Sequence, residues 1–129
     1  MKLRIRGNSI RLRLKQSEVD RIATGEVVAD ETAFPGGSFH YRLFADDRDT
    51  MSADFDDGAI SVGLPHTMAT AWAAGDQVSL LGEQASPGGA PLTILVEKDF
   101  ACLTPGDNRA GEDDEDTYPH PDAESGRGC

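Results

Sequence analysis

An α+β domain on a mostly antiparallel, strongly curved or partly closed sheet of about eight strands is the fold this sequence predicts. Two hairpins and two short helical patterns between strands carry that prediction. With a two-residue turn at Gly7-Asn8, Arg6 faces Ser9, Ile5 faces Ile10, Arg4 faces Arg11, Leu3 faces Leu12 and Lys2 faces Arg13. Side chains alternate faces along a strand, so one face collects Lys2, Arg4, Arg6, Ser9, Arg11 and Arg13, and the other Leu3, Ile5, Ile10 and Leu12. Residues 51–64 repeat the pattern around Asp57-Gly58, a dipeptide suited to a primed turn. There Met51, Ala53, Phe55, Ile60 and Val62 form the apolar face, and Ser52, Asp54, Asp56 and Ser61 the other.

The remaining elements follow in order. Ser17 with Asp20 three residues on suggests a capped helix with Val19, Ile22 and Ala23 as its stripe, ended by Gly25. Residues 26–33 read as a strand, and Pro35-Gly36-Gly37 as a turn. Phe39, Tyr41 and Leu43 then alternate with His40, Arg42 and Phe44, a strand with one buried face. Pro65 opens a second helix to about Ala74, with Met68 and Trp72 on one side and Gly75 at its end. Residues 76–81 read as a strand, 82–91 as a loop, and 92–97, apolar on both faces, as a central strand. The two hairpins are similar in pattern only, and no further internal repeat is evident. One domain over residues 1–103 precedes an acidic, Gly- and Pro-rich tail over 104–129, expected to be disordered or partly docked.

The net charge of −11 hides a dipolar chain. Residues 1–21 carry +5, residues 22–103 carry −10 and residues 104–129 carry −6. Such a balance argues against non-specific binding to nucleic acid or to an anionic membrane surface. No apolar run has the length of a membrane span or of a signal peptide. Cys102 and Cys129 cannot build a disulfide framework, which points to a reducing cytoplasm.

Catalytic patterns are weak. His40, His66 and His120 are scattered, and neither a nucleophile elbow nor a phosphate-cradling glycine loop occurs. The run 54–58 has its glycine one place too early for a calcium loop, and Cys102, His120 and Cys129 match no zinc spacing. The expectation is therefore a binding domain with no cofactor or metal, whose partner is an anionic ligand or a protein. Lys2, Arg4, Arg6, Arg11 and Arg13 are the candidate anion-contacting residues, because the guanidinium fork suits carboxylate and phosphate. Glu112, Asp113, Asp114, Glu115 and Asp116 are the candidate internal counter-charge. Two alternatives stand beside this reading: an enzyme or metal-dependent protein using Asp54, Asp56 and Glu97, and a structural or regulatory subunit acting through its tail.

The N-terminal run 4–14 (RIRGNSIRLRL), the segment 96–103 (VEKDFACL), the acids Glu112, Asp113 and Asp116, and Tyr118-Pro119-His120-Pro121 together resemble a family of small uncharacterised bacterial proteins. The resemblance spans nearly the whole chain. It implies a compact domain, and it brings no assigned activity, cofactor or partner.

Overall fold

The computed structural model describes residues 1–100. Strands β1 (Lys2–Arg6) and β2 (Ser9–Leu14) lead into helix α1 (Gln16–Ala23), followed by β3 (Val28–Phe34) and β4 (Gly37–Asp46). Then come β5 (Ser52–Asp56), β6 (Ala59–Pro65), helix α2 (His66–Ala74), β7 (Ser79–Gln84) and β8 (Leu92–Lys98). Eight strands and two helices agree with the sequence, but their arrangement corrects it. The strands form two four-stranded sheets, β1-β2-β8-β7 and β3-β4-β6-β5, and neither is closed or strongly curled. Each is mixed: β2 pairs with β8 and β4 with β6 in parallel, between antiparallel hairpins.

The chain thus runs hairpin–helix–hairpin twice, and each half gives one hairpin to each sheet. The halves register at a spacing of fifty residues. Buried Ile10, Leu12, Leu14, Val19 and Ile22 correspond to buried Ile60, Val62, Leu64, Ala69 and Trp72. The internal repeat is therefore structural and extends well beyond the two hairpins. Sequence comparison misses it because only the burial pattern persists.

Local chemistry explains the elements. Gly7 at φ 54° supplies the left-handed first position of its turn, whereas Asp57 and Gly58 both have positive φ, as the primed turn requires. Helix α1 is capped two residues earlier than Ser17 suggests, at Lys15. Glu18, not Asp20, reaches back, accepting the Lys15 backbone N–H at 2.9 Å. Strand β7 extends to Gln84 because Gln84 has work at the edge of the sheet. Its side-chain amide accepts from the Ala53 N–H at 2.9 Å and donates to the Ala53 carbonyl at 2.8 Å, satisfying the edge strand β5. Beside this seam Gly82 leaves room for Met51; a Cβ there would lie 3.0 Å from the Met51 Cβ.

One core unites both sheets and both helices, with Leu12, Leu14, Leu43, Leu64, Trp72, Ile94 and Val96 almost wholly buried. Trp72 donates its indole N–H to the Val78 carbonyl at 3.1 Å. The predicted core membership fails at two places: Ile5 is 55% and Phe55 66% exposed. Both are on edge strands, next to hairpin turns, so neighbours cover them on one side only. Burial should decide the energetics here. Leu12→Ala is expected to lose about 2–5 kcal/mol in chemical denaturation, whereas Ile5→Ala should lose about 1 kcal/mol or less. Equal losses would contradict this assignment of the core.

A second seam ties Met1, just ahead of β1, to α1, β3 and β4. The Met1 amino group lies 2.7 Å from Glu18 and 3.1 Å from Asp30, and the Tyr41 hydroxyl donates to the Met1 carbonyl at 3.2 Å. Burial alone would raise the Glu18 pKa, but the hydrogen bonds and charges of the amine and of Lys15 outweigh it and hold the carboxyl below the ordinary range. Burial would lower the amine, yet its bonds to Glu18 and Asp30 raise it. A depressed carboxyl stabilises above its unfolded pKa and loses that stabilisation as pH falls through the folded value. A raised amine stabilises below its unfolded pKa and loses that stabilisation as pH rises through the folded value. Stability should therefore decline on both sides of neutrality. Glu18→Gln should cost about 1–3 kcal/mol at neutral pH and flatten both limbs in a pH series of denaturation curves. An unchanged pH profile would remove the seam from the account.

Candidate functional site

The outer face of the first sheet is built in rows. The register sets Lys2 beside Arg13, Glu97 and Ser79 in one row, and Arg4 beside Arg11, Leu95 and Leu81 in the next. Arg6, Ser9, Thr93 and Glu83 make the third. All five predicted basic residues are brought onto this face, in the predicted register. Lys2, Leu3, Arg4, Arg11 and Arg13 line a shallow groove of about 220 Å³.

Like charges directly opposite one another, as at Arg4–Arg11 and Lys2–Arg13, are unfavourable by up to about 1 kcal/mol a pair. Glu97 offsets part of this. Its Oε1 accepts from Arg13 Nε at 2.6 Å and lies 3.5 Å from Arg11 Nε, while Ser79 Oγ donates to its Oε2 at 3.3 Å. Glu97 is only 14% exposed and both guanidinium side chains 19%, so the pair Arg11–Arg13 is held in fixed orientation. Lys2 at the rim, 72% exposed, lies 3.1 Å from Asp99. Asn8 anchors the turn at the end of this face, donating to the Ala90 and Pro91 carbonyls at 3.1 and 3.0 Å.

The second sheet presents a different groove, about 480 Å³, on its outer face. Ala59 and Ser61 of β6 form the floor, His40 and Arg42 of β4 one side, and Asp54, Asp56 and Asp57 the other. His40 Nε2 lies 3.9 Å from Glu31. The register separates Arg42 from Asp54 by the width of β6, and the three aspartates are exposed.

Glu97 therefore joins the basic face, and it does not converge with Asp54 and Asp56, which lie on the other sheet. Among the described residues no three His, Cys, Asp or Glu side chains group as a metal site would require. Sequence reasoning missed Glu97 as the organiser of the arginines, and it missed the aliphatic pair Leu81–Leu95 beside them. Both reach this face only through the parallel pairing of β2 with β8, which leaves no local signal in the chain. Glu112, Asp113, Asp114, Glu115 and Asp116, together with Cys102, His120 and Cys129 and the proposed tail, lie outside the described residues.

Fold and faces together define a two-sheet α+β domain carrying a basic outer face on one sheet and an acidic groove on the other. The chain belongs to a family of unknown function, DUF7009, whose model matches residues 1–122. Comparison with curated proteins and with solved structures found no match.

Proposed function

We infer that this is a binding domain whose contact surface is the basic face of the first sheet, and that its ligand presents carboxylates. The clustering of Lys2, Arg4, Arg6, Arg11 and Arg13 on one sheet face, with Glu97 against Arg11 and Arg13, is the observation that supports this reading. Glu97 orients Arg13 and Arg11 before any ligand arrives, which lowers the ordering cost of binding. The face has no aromatic side chain among its arginines, so base stacking contributes nothing and nucleic acid is a poor ligand. The acidic run Glu112–Asp116 is one carboxylate source. It is tethered, so its effective concentration at the face would be in the millimolar range.

No helix among the described residues is long and apolar enough to cross a membrane. The cysteine usage supports a cytoplasmic setting. Glu97, set aside for the arginines, is not available to complete a catalytic trio with Asp54 and Asp56, which favours binding over catalysis.

Elution from immobilised heparin, a polyanion probe, tests this reading. A chain ending at Leu103 should elute at higher salt than the full chain, and Arg4→Glu/Arg11→Glu in the shortened chain should abolish the retention. Removal of the tail takes away a net charge of −6, so the shift alone decides nothing. Unchanged elution of the doubly reversed variant would reduce the basic face to an ordinary solvated surface.

A further inference from the structure

The two outer faces are one structural surface used twice with opposite charge. At the fifty-residue spacing, Arg4 and Arg6 of β1 correspond to Asp54 and Asp56 of β5. Arg11 of β2 corresponds to Ser61 of β6, which leaves the second face with a low floor there, and at Gly63, the counterpart of Arg13, the Asp46 carboxylate and the Ser52 hydroxyl occupy the space. The basic face also carries an apolar component: Leu81, 68% exposed, stands beside Leu95 in the Arg4–Arg11 row. An aliphatic side chain next to guanidinium groups suits a protein surface, because a small anion offers nothing to cover it.

We propose that the basic face docks on the acidic groove of the second sheet of another copy of this chain. The inference rests on the basic-face reading above and names its partner. Arg4 and Arg6 are two residues apart on one edge strand, and Asp54 and Asp56 are two residues apart on the other. Both pairs are thus spaced by roughly 7 Å and can meet in register. The groove floor of Ala59 and Ser61 leaves space for long guanidinium side chains to lie flat. Because the two faces differ, the contact is head-to-tail, and each copy keeps one face of each kind for the next.

The net charge of −11 opposes approach of two copies at low salt. At about 0.15 M salt the Debye length is roughly 8 Å, so this repulsion is damped while contacts at ion-pair distance survive. Association is therefore strongest at intermediate salt and weakens at least about tenfold by roughly 1 M salt.

Sedimentation equilibrium of the full chain at increasing concentration tests this. The weight-average mass of the wild type should rise at intermediate salt and fall back at high salt. Asp54→Lys/Asp56→Lys and Arg4→Glu/Arg11→Glu should each stay monomeric, and an equimolar mixture of the two should regain association, since each then offers the faces the other needs. Arg4, Asp54 and Asp56 are exposed and Arg11 is mostly covered beside Glu97, so melting curves are needed to verify that the variants fold; Asp54→Asn/Asp56→Asn, which only removes charge, should weaken association in the same direction. A wild type that stays monomeric overturns the proposal. So does an Asp54→Lys/Asp56→Lys variant that associates like the wild type: the carboxylates then come from elsewhere, and the basic-face reading stands. Loss of heparin retention in the shortened Arg4→Glu/Arg11→Glu chain with unaltered self-association of the full-length variant separates the two readings in the other direction.

Discussion

The parallel pairing of β2 with β8 and of β4 with β6 is the constraint on which the rest of this structure depends. Parallel strands cannot be joined by a tight turn, so each pair must be made between segments distant in the chain. Here each half supplies one hairpin to each sheet, and both central pairs are joints between the halves. The helices fill the space this leaves: Val19 and Ile22 of α1 and Ala69 and Trp72 of α2 complete a core shared by both sheets. Neither half alone has a four-stranded sheet to cover. The side seams, Gln84 on the Ala53 backbone and Met1 on Glu18 and Asp30, finish edges that the central pairs have positioned.

The charged faces are a consequence of the same exchange. Glu97 comes from the last strand, yet it organises arginines of the second, 84 residues earlier. Without the β2–β8 joint, the basic hairpin would hold Arg4 against Arg11 and Lys2 against Arg13 with no carboxylate from β8 among them. The second sheet follows the same plan with Asp54 and Asp56 where the first has Arg4 and Arg6. A repeated fold with inverted surface charge gives one domain two unlike faces without any change to its core.

Short-range structure was legible in the chain; the joints were not. Both hairpin registers, the turn at Asp57-Gly58, helix α2 ending at Gly75 and the interior position of β8 follow from alternation, turn chemistry and apolarity. All are decided within about fifteen residues. The division into two sheets, the parallel pairs and the extension of β7 through Gly82 to Gln84 depend on partners 19 to 84 residues away. Glycine and glutamine there read locally as loop, and only the meeting with Met51 and Ala53 explains them. The five basic residues of the site could be grouped in advance because one hairpin carries them all. Their carboxylate partner could not.

The most direct test is to cut the chain between the halves, in the connection between Asp46 and Ser52, by an inserted protease site. If the central pairs hold the fold, the two pieces should remain associated after cleavage. Separated in denaturant, neither should refold as a monomer with a cooperative transition, and remixing should restore the far-ultraviolet circular dichroism and melting of the intact protein. Independent, monomeric, cooperative folding of the piece 1–48 would contradict the account, because it would show a half that needs no strand from the other.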